Sequence, residues 1–415
     1  MRIGILLREL DVSGGSQRLA LSLAKELKKT GDEVVVYALQ VDGSRCYPEL
    51  LREISPVDLA TLLPKPSPWS RNLLPLRRFL GVTPDLLLNR RIADAISGEI
   101  DVLNVHEHFV YPAAVYWKSR TRKPIVWMMN DVPGEFFPNW DRRRPWKKFD
   151  RVVNGKEWEN RIRRGMALKF DEILVLSNME SARLREATGL PGKVVICGQD
   201  ADEFPFHPRH APGSRRLRLF SNAILYPHRR LEDIVRSLRL LKDREIDFEW
   251  FHAGDTGRAP DYFRWIRKTV ADADLRERVT FLGSIGDREL VRQFQEADVF
   301  LFPHTPQSWG LAVFQAMACG TPAIVSRGAG ASEVLTHGNN ALLVDPFSPD
   351  QIADAVEQLR ENRDLWESLH LEGRRFVEEN IRWDLYAKSM RAVFMRAAQA
   401  GSPRGGAAAF SGKTQ

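Results

Sequence analysis

The chain has 415 residues, more than a single typical core organises, and its hydrophobic content of 43% predicts a large globular interior built as two domains. The sequence has no apolar run of the ~18–20 residues that span a bilayer and no recognisable signal peptide, so we expect a cytoplasmic protein. Three scattered cysteines, Cys46, Cys197 and Cys319, predict reduced thiols and exclude a disulfide framework.

The net charge of +7 is concentrated in residues 141–169, which contain eleven Lys or Arg and four Asp or Glu. Trp140, Trp146 and Trp158 lie in or beside this segment, and basic and aromatic residues together favour anionic lipid headgroups. The alternative is a solvated helical face with its tryptophans packed inward. We find no nucleic-acid-binding motif beside the charge.

The chain begins with a β-loop-α-β unit. Arg2–Leu7 reads as a buried strand, Gly14 and Gly15 follow in the loop, and a helical pattern runs over 17–29 before a second strand at 33–38. The glycines do not form the dinucleotide fingerprint, so the loop does not predict NAD binding.

Polar side chains follow two further predicted strands. The strand over 101–105 ends at His106-Glu107-His108, and the strand over 124–129 leads to Asn130-Asp131. A metal pair at the histidines is disfavoured because no third ligand is close in sequence. Polar residues at strand ends of an open α/β sheet line its crevice, and this is the interpretation we prefer. Strands at 171–176 and 194–197 complete the first half.

Prolines over 205–214 predict a linker, after which a strand over 218–225 starts the second half. Arg229 and Arg230 precede a helix over 231–241, where they oppose the helix dipole and Glu232 and Asp233 offset part of the conflict. A bound diphosphate would remove the conflict. The alternative is a pair of exposed arginines.

The most informative stretch is QSWGLAVFQAMACGTPAIVS, residues 307–326. Gly310 opens a short apolar helix, Gly320 closes it in the left-handed conformation, and a strand follows over 323–326. A helix N-terminus entered through a glycine suits a phosphate. The alternative is an ordinary buried crossover.

This stretch resembles the signature of retaining glycosyltransferases of family 4, whose frame is a glutamate, seven residues and a second glutamate. Gly310, Leu311 and the run Ala316-Met317-Ala318-Cys319-Gly320-Thr321-Pro322 fit the frame, and Gln307 and Gln315 occupy both glutamate positions. In this family the first position contacts the donor sugar and the second contacts the ribose. Arg229 or Arg230 fits the lysine position of a donor-phosphate motif, whose arginine position falls near Ile224.

The resemblance implies an α/β protein of the GT-B class, with two Rossmann-like domains facing each other across a cleft. The implied boundaries are 1–204 for an acceptor-side domain, 205–214 for the linker, 215–382 for a donor domain, 383–400 for a helix returning to the first domain, and 401–415 for a disordered tail. The implied site residues are catalytic Arg229, Arg230 and Gln307; donor-binding Gly14, Gly15, Ile285, Gly310, Leu311 and Gln315; and acceptor-side His106, Asn130 and Asp131. No metal or other cofactor is expected.

The leading hypothesis is a retaining hexosyltransferase that uses a nucleotide-diphosphate sugar and a lipid-linked or polysaccharide acceptor. We expect the protein in the cytoplasm, with peripheral contact to the inner face of the membrane through residues 141–169. The two glutamines support an alternative, a catalytically inactive GT-B scaffold or binding subunit. A sugar-nucleotide epimerase is a third hypothesis, and the signature disfavours it.

Overall fold

A computed structural model describes residues 1–12, 14–63, 84–133, 156–306 and 309–401. The chain divides into two compact units. The first contains Met1–Val175, Ser181–Val195 and the chain from Ala387 onwards; the second contains Leu176–Glu180 and Ile196–Tyr386. The boundaries expected from the sequence, 204 and 382, stay predictions.

The first unit is a parallel sheet covered by helices. Its strands are β1 (Arg2–Leu10), β2 (Glu33–Val41), β3 (Val57–Asp58), β4 (Val102–His106), β5 (Ile125–Met128), β6 (Glu172–Val175) and β7 (Lys193–Val194), in the order β3-β2-β1-β4-β5-β6-β7. Its helices are α1 (Gly15–Lys29), α2 (Pro48–Ile54), α3 (Leu59–Leu62), α4 (Pro84–Ala95), α5 (Tyr111–Thr121), α6 (Lys156–Ala167) and α7 (Asn178–Thr188), whose first turn lies in the second unit.

The second unit repeats this plan with a smaller parallel sheet. Its strands are β8 (Leu217–Asn222), β9 (Phe248–Ala253), β10 (Val279–Gly283), β11 (Val299–Phe302), β12 (Ala323–Ser326) and β13 (Leu342–Val344), in the order β10-β9-β8-β11-β12-β13. Its helices are α8 (Leu231–Asp243), α9 (Pro260–Asp272), α10 (Asp287–Glu296), α11 (Leu311–Ala318), α12 (Pro349–Glu361), α13 (Arg363–Asn380) and α14 (Trp383–Gly401).

The strands form where the sequence places continuous apolar runs, as expected for a parallel sheet covered on both faces. All four residues of β5, β11 and β12 are buried. Each unit has its own apolar core, and the core of the second unit is centred on Leu219, Trp250 and Leu301 with helices α8 and α12 packed against it. The prediction of two α/β Rossmann-like units is therefore confirmed.

Most predicted elements are found within two or three residues of their expected ends. Strand β7 is shorter than expected: it was predicted over 194–197 and is observed as Lys193–Val194. After this pair the Val195 amide donates to the Val175 carbonyl, and residues from Ile196 group with the second unit, so the strand ends where the chain leaves the first sheet.

Helix α14 passes from one unit to the other. It starts at Trp383 among residues of the second unit, and its residues from Ala387 onwards belong to the first. There Arg391 Nε lies 2.6 Å from a carboxylate oxygen of Asp32, whose side chain is almost completely buried and also bonds the N-terminal amine. This ion pair fixes the helix to the start of the first unit.

Candidate functional site

Each sheet has one place where the order of its strands reverses direction. In an open parallel sheet, ligands bind beyond the carboxyl ends of the strands at that reversal. The reversal lies between β1 and β4 in the first sheet and between β8 and β11 in the second.

In the second unit, the loops that follow β8 and β11 meet. The first loop holds Arg229 in a short 3₁₀ turn, Pro227–Arg229, and the second leads to Gly310. The Thr305 amide donates to the His228 carbonyl at 2.9 Å, which ties the two loops together. Arg229 and the glycine-entered helix, which are far apart in sequence, therefore share one edge of this sheet.

Three uncharged histidines lie in this region: His228 and His304 are near Arg229, and His252 is near His304. Burial lowers the pKa of His228 to about 4 and that of His304 well below its usual range, and in both the Arg229 guanidinium lowers the pKa further. Burial also lowers the pKa of His252 to about 4. Because these rings are neutral at physiological pH, the positive charge of this cluster is that of Arg229.

Gly310 is required on two grounds at the start of α11. Its φ of 125° is rarely adopted by other residues, and a Cβ there would lie 2.9 Å from the Phe302 ring. That ring in turn lies 3.8 Å, between centroids, from the His304 ring. The helix N-terminus, with its partial positive charge, therefore begins beside the histidines that neighbour Arg229.

Arg230 has different surroundings from Arg229. Its Nε and Nη2 donate to the Asp233 carboxylate at 2.8 Å each, and its Nη1 lies 2.5 Å from Glu232. Its guanidinium also lies over the Phe347 ring, 4.5 Å from the centroid. Burial lowers the pKa of Arg230, but hydrogen bonding to Asp233 and the charges of Glu232 and Asp233 raise it by more. The net shift of this pKa is therefore upward. Two buried carboxylates therefore balance this arginine.

Helix α11 is buried apart from one strip. Val313, Phe314 and the residues from Ala316 to Ala318 are buried, whereas Leu311 and Gln315 are only partly so. These two positions are four residues apart and therefore share a helix face. Gln307, the other signature glutamine, lies outside the described residues.

Ile285 lies in the turn after β10, at the same carboxyl edge of the second sheet but beyond β9 from the reversal. The side chain is partly buried. The Gly254 amide donates to the Gly283 carbonyl at 2.8 Å, which joins the turns that follow β9 and β10. Ile285 therefore lies at the same sheet edge as Arg229 but follows a strand farther from the reversal.

In the first unit, Gly14 and Gly15 form the start of α1. Gly14 is the N-terminal cap, with its amide donating to the Val12 carbonyl, and Gly15 is the exposed first residue of the helix. A Cβ at Gly15 would meet nothing within 4 Å, so the helix start is open there. Both predicted glycines therefore lie at the reversal of the first sheet.

The predicted acceptor-side residues differ in exposure. His106 is completely buried, its Nε2 is 2.9 Å from Asn104 Oδ1, and burial lowers its pKa to about 3. Asn130 donates from Nδ2 to Ser16 Oγ at 2.7 Å, which connects the end of β5 to the first turn of α1. Asp131 is exposed. Of the three, Asn130 and Asp131 are partly or fully accessible, whereas His106 is enclosed.

Sequence reasoning missed Glu107, which follows His106. Burial is the main cause that raises its pKa to about 7, and the charges of Glu9 and Asp11 add to this rise. Gln17 Nε2 lies 3.3 Å from its Oε1. The run His106-Glu107-His108 was assigned from the sequence to the crevice at the strand ends, but only His106 was named as a site residue, and the carboxyl between the two histidines was the signal for Glu107.

The basic segment is only partly described. Residues 134–155, which include Trp140 and Trp146, lie outside the described residues, and so does the side chain of Trp158 in α6. Among the described residues, no helix is both long and apolar enough to cross a membrane. In the same part of the chain, no group of three or more His, Cys, Asp or Glu is arranged to hold a metal ion.

Comparison with known families identifies both halves of the chain. The model of "Glycosyltransferase Family 4" matches residues 13–203, and that of "Glycosyl transferases group 1" matches residues 202–376. The chain belongs to the family 4-type glycosyltransferases with the GT-B fold. The resemblance read from residues 307–326 is confirmed by these two matches.

Curated relatives match parts of this glycosyltransferase. A D-inositol 3-phosphate glycosyltransferase of Pseudarthrobacter chlorophenolicus is 36% identical over 128 residues, 30% of each chain. A GDP-mannose-dependent alpha-(1-6)-phosphatidylinositol monomannoside mannosyltransferase of Mycobacterium tuberculosis is 34% identical over 242 residues, 54% of this chain and 62% of the relative. The chain thus matches less than two thirds of the length of either.

Among solved structures, HepE of Anabaena in complex with UDP-glucose superposes with a TM-score of 0.73. The alignment covers 95% of this glycosyltransferase and 100% of HepE, at 17% identity. At that identity the likeness shows the fold, and function is argued from the site.

Proposed function

We propose that this protein transfers a hexose from a nucleotide-diphosphate sugar to a hydroxyl of a lipid-linked or glycan acceptor, with retention of the anomeric configuration. The observation that carries the proposal is the Thr305–His228 hydrogen bond of 2.9 Å, because it holds the Arg229 turn beside the loop that leads into α11. A guanidinium and a helix N-terminus at one sheet edge suit a pyrophosphate.

The two arginines receive different roles in this proposal. Arg229, beside neutral His228 and His304, contacts the diphosphate directly. Arg230, paired with Glu232 and Asp233, fixes the backbone between the turn and α8 and adds little net charge to the site. The missing arginine of the family motif, near Ile224, is therefore not replaced by Arg230.

The reaction breaks the bond between the anomeric carbon and the diphosphate oxygen and forms a bond from that carbon to the acceptor oxygen. The proton of the acceptor hydroxyl passes to the departing diphosphate on the same face of the sugar. Such a step depends on stabilising the negative charge of the leaving group. Arg229 and the N-terminal amides of α11 supply this stabilisation without an enzyme carboxylate or a metal.

The glutamines fit an active donor site. An amide still accepts a hydrogen bond from a hydroxyl and also donates two. Gln315, on the partly open face of α11, is the proposed contact to the ribose, and Gln307 the contact to the sugar. Relative to a carboxylate, each loses about 1 kcal/mol, since a neutral bond contributes ~1 kcal/mol net and a charged one ~1.5–3. Donor binding is weakened by this change but not abolished.

Two observations support the proposed class of acceptor. The mycobacterial relative is named for a phosphatidylinositol monomannoside acceptor, which is a glycolipid. The basic segment 141–169, with a charge of +7, suits the anionic surface on which a lipid-linked acceptor is presented. We therefore propose peripheral attachment to the cytoplasmic face of a membrane through this segment.

The test is a panel of nucleotide sugars, measured first by thermal shift and then by diphosphate release with candidate acceptors. The proposal expects stabilisation by at least one nucleoside diphosphate, and release of that diphosphate only when an acceptor is present. Absence of binding to every nucleoside diphosphate supports the inactive scaffold. Formation of a free epimerised nucleotide sugar without acceptor supports an epimerase.

A further inference from the structure

Glu107 adopts a backbone conformation that few non-glycine residues tolerate. Its φ is 69°, in the left-handed region. Such a conformation costs about 1–3 kcal/mol and persists where surrounding contacts impose it. Here the Trp127 indole donates to the Glu107 carbonyl at 2.9 Å, and β4 ends immediately before it at buried His106. The strained residue is therefore held at the reversal point of the first sheet.

Hydrogen bonds also hold the side-chain carboxyl of Glu107 in place. Gln17 Nε2 lies 3.3 Å from Glu107 Oε1 and 3.2 Å from the Glu9 carbonyl, so the amide bridges the ends of β4 and β1. The Arg8 backbone amide also bonds this carboxyl. Glu107 as a residue is nevertheless only partly buried. A carboxyl held in this way at a partly exposed residue is positioned to accept a hydrogen bond from a ligand.

Gly14 makes the bridging geometry possible. A Cβ at this position would lie 2.5 Å from Gln17 Oε1. The next contact of that Cβ, at 3.6 Å, is also with Gln17, so the backbone would not obstruct a side chain at position 14. An alanine would instead push the Gln17 amide away from Glu107. The need for glycine here is therefore explained by the position of one side chain.

The first turn of α1 also reaches the loop after β5. Ser16 Oγ accepts from Asn130 Nδ2 at 2.7 Å, one residue before Gln17. Glu107 and Asn130 are thus attached to consecutive residues of a helix that starts in open space at Gly15. The groups converge at one edge of the sheet, and both present oxygen atoms suited to hydroxyl groups.

We propose that Glu107 contacts the acceptor substrate and accepts a hydrogen bond from a hydroxyl of its sugar or polyol group, with Gln17 and Gly14 as positioning residues. This inference rests on the proposed transferase function. The charged groups nearest the carboxyl are Arg8, Glu9 and Asp11. Two of these are anionic, so the surroundings favour a neutral hydroxylated ligand over an anionic one at this point.

The experiment uses the full chain, a nucleotide sugar that it accepts, and a panel of myo-inositol, D-inositol 3-phosphate, phosphatidylinositol and methyl hexosides. Glu107→Gln should lower kcat/KM for the acceptor by about fivefold, the difference between a hydrogen bond to a charged acceptor and one to a neutral acceptor. The dissociation constant of the nucleoside diphosphate should not change. Glu53→Gln, a surface glutamate near Lys25 in the same unit, is the matched control and should transfer like the wild type.

A double-mutant cycle tests the positioning role. Gly14→Ala alone should lower acceptor kcat/KM by displacing Gln17, and Gly14→Ala combined with Glu107→Gln should lose no more than Glu107→Gln alone. Additive losses would show that Gly14 acts independently of Glu107.

Failure of the proposed function and failure of this inference alone would give different results. If the wild type transfers to no acceptor in the panel, the proposed function and this inference both fall. If the wild type transfers and Glu107→Gln retains its acceptor kcat/KM, the inference alone is overturned. A weakened diphosphate affinity in Glu107→Gln would also overturn it, because the residue would then serve the donor.

Discussion

The raised pKa of Glu107 predicts how the stability of the folded protein depends on pH, and this can be tested without a substrate. Burial raises its pKa from 4.5 to about 7, whereas in the unfolded chain it titrates near its ordinary value. The folded state therefore binds more protons than the unfolded state between these values, and stability falls as the pH rises from about 4.5 to 7. Above pH 7 the loss is complete.

The magnitude follows from the same shift. One pKa unit corresponds to 1.36 kcal/mol, so a rise from 4.5 to about 7 gives an upper limit of about 3 kcal/mol. Because Glu107 as a residue is partly exposed, solvent screening reduces this to about 1–2 kcal/mol. Glu107→Gln removes the titration, so the variant should gain this amount relative to the wild type between pH 5 and pH 8.

The assay is thermal unfolding of the wild type, Glu107→Gln and the surface control Glu53→Gln at pH 5, 6.5 and 8. A domain of this size shifts by about 2–4 °C per kcal/mol, so the difference in Tm between Glu107→Gln and wild type should grow by about 2–8 °C from pH 5 to pH 8. A difference that is the same at both pH values, or that matches the control, would refute the raised pKa of Glu107.

Four further variants of the second unit have expected outcomes. Arg229→Ala should weaken nucleoside diphosphate binding by about tenfold or more, read by titration calorimetry. Arg230→Ala should lower Tm in thermal unfolding, because it removes the arginine that pairs with buried Glu232 and Asp233. Gly310→Ala should reduce both Tm and diphosphate affinity because of its φ and the Phe302 ring, and an affinity equal to wild type would argue against a ligand at this helix end. Gln315→Ala should transfer weakly, and a complete loss of transfer would assign Gln315 a larger role than a ribose contact.

Much of the second unit was predictable from its sequence. Gly310 and Gly320 mark the ends of α11 because each adopts a positive φ, of 125° and 86°, that glycine tolerates. These are local properties of single residues, and patterns of this kind are read reliably from the chain. The order of the elements and the parallel sheets were predictable from the continuous apolar runs that form the buried strands.

What the sequence did not reveal depends on distant contacts. Arg229 and Arg230 are neighbours in the chain, yet one lies beside His304 and the other is paired with Asp233 and lies over Phe347. No local rule separates two adjacent arginines at a helix start. Likewise, the altered acidity of Glu107 arises from burial and from Glu9 and Asp11, about a hundred residues earlier in the chain.

Titration of the wild type and of the double variant Arg229→Ala/Arg230→Ala with UDP, GDP and ADP tests the central claim most directly. The account predicts that the wild type binds at least one of these diphosphates and that the double variant binds none of them measurably and fails to transfer. Equal affinity in both proteins, or full transfer activity in the double variant, would contradict it.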